Sequence, residues 1–109
     1  MESVGSTCSY RQRMERRALT SDELIGITHG LPAWAVQDGQ LVRTVQAPTF
    51  AHGIAWVNTV ADVAEAMDHH PDVDIRYRRL TFRIRTHDLD ALTTWDVALA
   101  HRIDQIVDN

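Results

Sequence analysis

The chain has 109 residues and a formal net charge of −4, with 44% hydrophobic and 24% charged side chains. That length predicts one domain able to bury roughly two-thirds of its unfolded surface, and the near-average charge content argues against wholesale disorder. All basic residues are arginine, eleven against fifteen acids, a balance that speaks against a non-specific nucleic-acid binder. The one cysteine, Cys8, excludes an internal disulfide framework and a multi-cysteine zinc site. No apolar run approaches the ~20 residues needed to cross a bilayer. Met1 to Arg17 lacks the apolar core of a signal peptide, so no membrane partner and a cytoplasmic address are expected.

Residues 1–17 differ from the rest. Ser3, Ser6, Ser9 and Gly5 are followed by Arg11, Arg13, Arg16 and Arg17. Four arginines against Glu2 and Glu15 give +2, leaving −6 for residues 18–109. The segment reads as a flexible Arg-rich tail, with an electrostatic arm for an acidic partner as the lesser reading. Residues 18–109 read as a single domain.

Thr20 and Glu23 have the spacing of a capping box, in which each side chain covers a free amide of the first helical turn. The helix they open should stop near Gly30, with Pro32 just beyond. Asp38-Gly39 lies between the β-prone runs Trp34–Gln37 and Gln40–Val45 and predicts a hairpin. A long helix follows, from about Thr49 to Asp68. Phe50, Ile54, Val57, Ala61 and Ala64 form one apolar stripe, and Trp56, Val60, Val63 and Met67 form the next. Pro71 disfavours helical geometry at His70 and so ends the helix. Val73, Ile75 and Tyr77 alternate in one phase, Leu80, Phe82 and Ile84 in the other, which predicts two short strands with a turn at Arg78-Arg79. Thr93 and Asp96 repeat the capping-box spacing before a last helix with Val97, Ala100, Ile103, Ile106 and Val107 on its apolar face. The order α-β-β-α-β-β-α predicts an α+β fold, a four-stranded antiparallel sheet with helices packed on one face.

Among the six histidines, His69 and His70 close the long helix and His87 follows the strand Leu80–Thr86. Element ends present side chains to a ligand while the core stays packed. Glu65 precedes His69 by four residues, so both are expected on one helical face, where a carboxylate can fix the imidazole tautomer. The helix dipole, Asp68 and Asp88 favour imidazolium in the same way. This points to proton transfer near neutral pH. Taken singly, a histidine at a helix end is a polar cap, Asp96 a helix-start residue, and Trp34, Trp56 and Trp95 are packing residues. His29, His52 and His101 fall outside the pattern. Zinc or iron on imidazole and carboxylate is the sharper rival. Adjacent helical residues diverge by ~100°, however, which makes His69 and His70 an awkward ligand pair.

Together, Glu65-x3-His69-His70-Pro71-x5-Tyr77-x9-His87-x8-Asp96 resembles the signature of the pterin-4a-carbinolamine dehydratases. Trp34, Arg43, Val45, Phe50 and Thr86-His87-Asp88 extend the resemblance over residues 18 to about 107. It implies dehydration of 4a-hydroxytetrahydropterin to quinonoid dihydropterin and water, in the recycling of the tetrahydrobiopterin used by aromatic amino-acid hydroxylases. It further implies catalytic roles for His69, His70, His87 and Asp96, and places Glu65, Asp68, Pro71, Arg85, Thr86 and Asp88 at the substrate. His69 and His87 are assigned as the acid/base pair and His70 to substrate contact. For Asp96, orienting a histidine or the substrate and starting its helix stay open together. The implied partner is a small pterin, with no cofactor and no metal, in a homo-oligomer (dimer or tetramer). Some animal members bind a transcription factor's dimerisation helices, so the alternative is a non-catalytic interaction module on the same fold.

Overall fold

Local chemistry sets most element boundaries in the computed structural model, which describes residues 18–87, 89 and 91–108. The tail 1–17 and Asp88 lie outside the described residues. Helix α1 spans Ser21–Gly30 behind the expected capping box. The Thr20 amide donates to Glu23 Oε1 at 2.8 Å, and the Glu23 amide to Thr20 Oγ1 at 3.2 Å. Strands β1 (Ala35–Gln37) and β2 (Gln40–Gln46) flank Asp38-Gly39. Both turn residues have positive φ, 53° and 76°, which glycine and aspartate tolerate better than most residues do.

Helix α2 runs over Phe50–Met67 and is capped by Thr49, whose Oγ1 accepts from the His52 amide at 3.0 Å. Strands β3 (Asp72–Arg76) and β4 (Arg79–Ile84) follow. They are joined by Tyr77-Arg78, one residue earlier than the sequence phase predicts, with Tyr77 at φ 56°. Arg78 locks this turn to the β2–α2 connection. Its Nε donates to the Ala47 carbonyl at 2.9 Å, and the Ala47 amide donates to the Arg78 carbonyl at 2.8 Å. Helix α3, Thr94–Val107, completes the order α-β-β-α-β-β-α.

The four strands form one antiparallel sheet in the order β1-β2-β4-β3. Opposed residues share a face, so the pairs Leu41–Ile84, Arg43–Phe82 and Val45–Leu80 line the helix-covered side. Leu41, Leu80, Phe82 and Ile84 are fully buried there with Leu31, Val60, Leu99 and Ile103. Each such side chain contributes about 1.5–3 kcal/mol through burial. The opposite face carries polar pairs such as Thr44–Thr81, whose hydroxyls meet at 3.0 Å. Helix α2 crosses β4 closely at Gly53, where a Cβ would lie 3.1 Å from Leu80 Cδ1 and 3.2 Å from Ala47 Cβ. The helix stripes are shifted from the sequence expectation. Phe50 and Ala61 face solvent while Gly53, Val60, Val63 and Ala64 are buried, because α2 seats on its glycine. In α3, Leu99 joins the buried face and Val97 and Ile106 lie at its margin.

On the sheet itself, the helix-covered side includes the charged residue Arg43. Arg43 on β2 donates through Nη1 to Asp104 Oδ1, and through Nη1 and Nη2 to Asp108 Oδ2 and Oδ1 at 3.1 and 2.7 Å. Trp34 Nε1 donates to the same Asp104 oxygen at 2.8 Å. The fork satisfies a guanidinium that burial alone would penalise. The hydrogen bond to Asp108 raises the Arg43 pKa above its ordinary range, against the opposing effect of desolvation. The reciprocal bond, reinforced by the arginine's charge, holds the Asp108 carboxyl below its usual value.

Candidate active site

The long helix does not simply stop at its histidines; it reverses before them. Asp68 takes the left-handed conformation, φ 52° and ψ 43°. Its amide donates to Glu65 O at 3.2 Å, and the His69 amide donates to Ala64 O at 3.0 Å. This is a Schellman closure with aspartate where glycine is usual. A non-glycine residue held there stores local strain, of order 1 kcal/mol. Beyond Asp68 the chain is no longer helical, and that corrects the expected pairing of Glu65 with His69. Glu65 Oε2 instead meets His70 Nε2 at 2.7 Å, an exposed contact of the kind that contributes little to stability.

His69 turns inward. Its Nε2 lies 2.6 Å from Asp96 Oδ1, and its side chain is only 13% exposed while that of Asp96 is fully buried. Asp96 is held by its other oxygen. Asp96 Oδ2 accepts from Thr86 Oγ1 at 2.9 Å and from the Thr93 amide at 2.8 Å. The Thr86 and Thr93 hydroxyls lie 2.8 Å apart, and Thr93 Oγ1 accepts from the Trp95 amide at 3.2 Å. The capping box of α3 is therefore present as the spacing predicts, and its acid is also the partner of a histidine. Of the two roles the sequence leaves open for Asp96, helix start and histidine orientation, the geometry contains both.

The chemistry of the donors orders the protons. An ionised carboxylate only accepts, so the hydrogen shared between Asp96 and His69 belongs to Nε2. Neutral His69 then carries an unprotonated Nδ1, the nitrogen able to take a proton, while Asp96 stabilises the imidazolium that results. The Trp95 ring packs beside His69 with centroids 5.9 Å apart and planes at 49°, which limits water at the pair. Neither Thr93 nor Trp95 is flagged by the sequence as part of the site. Thr93 reads there as a helix cap and Trp95 as packing, and the spatial neighbour that changes both readings is 24 or more residues away.

The remaining residues divide by position. His87 is exposed in the turn that follows Thr86, itself bridged to Ala91. Asp68 and His70 are exposed, Pro71 and Arg85 half-buried. The hydroxyl of Thr86, expected at the substrate, is instead committed to Thr93 and Asp96, with the residue 5% exposed. Among the described residues, no three histidine, cysteine, aspartate or glutamate side chains gather to hold a metal ion, and no helix is long and apolar enough to cross a membrane.

Comparison with known proteins bears on the family and the fold. The sequence model of the family described as pterin 4 alpha carbinolamine dehydratase matches residues 17–106. A protein of Mycobacterium sp. strain KMS, provisionally named pterin-4-alpha-carbinolamine dehydratase, is 44% identical over 90 residues, covering 83% of this chain and 96% of its own. A Mycobacterium tuberculosis protein (strain CDC 1551) under the same provisional name is 43% identical over 86 residues, covering 79% and 92%. Among solved structures, the transcriptional coactivator/pterin dehydratase from Brucella melitensis superposes with a TM-score of 0.81 at 25% identity, covering 84% of this chain and 99% of that one. A pterin dehydratase-like protein identified as a RuBisCO assembly factor in the alpha-carboxysome shares the fold, with a TM-score of 0.57 at 16% identity over 68% of this chain and 86% of that one.

Proposed function

We propose that this chain, which belongs to the pterin 4 alpha carbinolamine dehydratase family, is a cytoplasmic hydro-lyase. Its reaction is the conversion of 4a-hydroxytetrahydropterin to quinonoid dihydropterin and water, in tetrahydrobiopterin recycling. The observation that carries this reading is the contact of His69 with the fully buried Asp96. A carboxylate sequestered from water and bonded to one imidazole nitrogen makes the other nitrogen a proton acceptor.

Loss of the 4a hydroxyl needs a proton delivered to the departing oxygen and a proton taken from a ring nitrogen. The C–O bond breaks with its electron pair going to oxygen, and the ring nitrogen supplies the pair that forms the new double bond. In this reading His69 Nδ1 accepts the ring proton and His87 delivers the other to the leaving hydroxyl. His87, being exposed, regains its proton from solvent, and release of the ring proton from His69 to solvent after product leaves closes the cycle. His70 contacts substrate, with Asp68, Pro71, Arg85 and Asp88 around it. The chemistry calls for two positioned imidazoles and no redox step.

The test is the dehydration rate of enzymatically generated 4a-hydroxytetrahydropterin with and without the purified protein. A large acceleration that disappears in a His69→Ala/His87→Ala double variant is the expected result. A folded protein without acceleration sinks the reading.

A second reading, an interaction module on the same fold, is favoured by one observation. Strand β3 lies at the sheet edge, and its Val73 and Ile75, with Tyr77 beyond, are exposed at 37, 39 and 72%. An apolar edge of this kind suits self-association. It also fits an enzyme that works as a dimer or tetramer, which light scattering of the purified protein decides.

A further inference from the structure

We infer that Thr86 is a positioning residue, acting on His69 through Asp96. The inference deepens the dehydratase reading and rests on it for its catalytic consequence. Three observations converge on this one hydroxyl. Thr86 is 5% exposed, so its Oγ1 is not available to a ligand at the surface. That oxygen has a single hydrogen, and the 2.9 Å contact with acceptor-only Asp96 Oδ2 takes it. Thr93 Oγ1 also lies 3.5 Å from Asp96 Oδ2, a longer and weaker contact than the 2.8 Å one to Thr86 Oγ1, so the Thr93 hydrogen goes to Thr86.

The result is a directed chain of hydrogen bonds. The Trp95 amide donates to Thr93 Oγ1, Thr93 Oγ1 to Thr86 Oγ1, and Thr86 Oγ1 to Asp96 Oδ2. Asp96 Oδ1 is left for His69 Nε2. Donors aligned in this way polarise one another in a low-dielectric interior. The Thr93 amide, also on Oδ2, restrains the carboxylate. Thr86 holds the same oxygen, and with Oδ2 anchored by both donors Oδ1 is kept for the imidazole. The backbone of Thr86 is separately engaged. Its amide donates to Ala91 O at 3.0 Å, and its carbonyl accepts from the Leu89 amide at 3.2 Å and the Ala91 amide at 3.4 Å. Side-chain substitution therefore removes the Asp96 contact without touching the turn that carries His87.

The experiment pairs nitrogen-15 NMR of the histidine rings, free of substrate, with steady-state kinetics on wild type, Thr86→Val and Thr86→Ser. Wild-type His69 is expected in the Nε2–H tautomer, with that proton slow to exchange. Thr86→Val keeps the shape and deletes the hydroxyl. It is expected to mix the tautomers, to speed exchange, and to lower kcat about tenfold with KM within about twofold, the scale of one lost hydrogen bond. The His87 signals stay in place, and Thr86→Ser restores both readouts. A wild-type Nδ1–H tautomer overturns the assignment without any variant, including where valine prevents folding. So does Thr86→Val with wild-type tautomer and rate, or Thr86→Ser as impaired as Thr86→Val. Tautomer mixing in Thr86→Val, in a protein whose wild type does not dehydrate the carbinolamine, keeps the positioning role and overturns the dehydratase reading instead.

Discussion

Helix α3 presents two polar clusters, a partly exposed one at its C-terminal end and a buried one at its N-terminal end, and they differ in how each terminates. At its C-terminal end Arg43 is enclosed by Asp104 and Asp108, with Trp34 on the same carboxylate. Each group is answered by another within the cluster, and no titrating nitrogen is left over. At its N-terminal end Thr86, Thr93 and Asp96 answer one another in the same way, but the cluster ends in His69, whose Nδ1 takes no part in it. A closed cluster can only hold parts of the fold together. One that terminates in a histidine can hand a proton on. Hydrogen-bond satisfaction alone does not distinguish the ion pair from the candidate site; the second imidazole nitrogen of His69 does.

The largest loss of activity is expected at Asp96. Asp96→Asn keeps the shape and loses the charge that stabilises the imidazolium, so kcat/KM is expected to fall at least ~100-fold. Circular dichroism should still report a folded protein. The mirror experiment is Asp104→Ala, which leaves Arg43 short of one anion and Trp34 Nε1 without its acceptor. Thermal denaturation should register a loss of about 3 kcal/mol, while kcat of the folded fraction stays within about twofold of wild type. If Asp104→Ala lowers kcat as far as Asp96→Asn does, the division between the two clusters is wrong.

Two further substitutions carry smaller effects. Asp68→Gly replaces a strained left-handed residue by the one that adopts this conformation freely. Stability is expected to rise by about 0.5–1 kcal/mol, read as a higher denaturation midpoint, and activity to fall through loss of the carboxylate beside His69. The least effect belongs to Asp108. Its folded-state pKa is depressed by the Arg43 hydrogen bond and charge, so its contribution is present above the ordinary carboxylate value and is lost as pH falls through the folded value. Wild type should exceed Asp108→Asn in stability at pH 7, with the gap closing below about pH 4. More than half of this side chain is exposed, and solvent screening keeps the gap under about 1 kcal/mol.

How far the sequence alone reaches follows from the range of each signal. Capping boxes at Thr20–Glu23 and Thr93–Asp96 and the Asp38-Gly39 turn involve residues no more than three apart, and all three appear in the fold. The strand phases place Leu80, Phe82 and Ile84 on one buried face, as they are. The Tyr77-Arg78 turn is missed by one residue, because nothing about tyrosine announces a positive φ. The Glu65–His69 pairing fails for a related reason. Helical spacing applies only inside a helix, and the reversal at Asp68 puts His69 beyond its reach. Arg43 is legible as a basic residue in a β-prone run, but its acids lie 61 and 65 positions on. No periodicity connects them. The seven-residue signature picks out the proposed acid/base residues, yet it does not say that Thr86 serves Asp96 rather than a ligand.

The dual use of Asp96 also binds local motion to chemistry. Helix ends are ordinarily the first parts of a fold to fray, since their outer amides lack intrahelical partners. The first turn of α3 cannot open without releasing the carboxylate that holds His69, and His69 cannot leave without loosening that turn. By linkage, any molecule that engages His69 in its Asp96-bound state draws on the same equilibrium and steadies the start of α3. Amide exchange in the first turn of α3 thus becomes a gauge of occupancy at a histidine that lies in a distant connection of the chain.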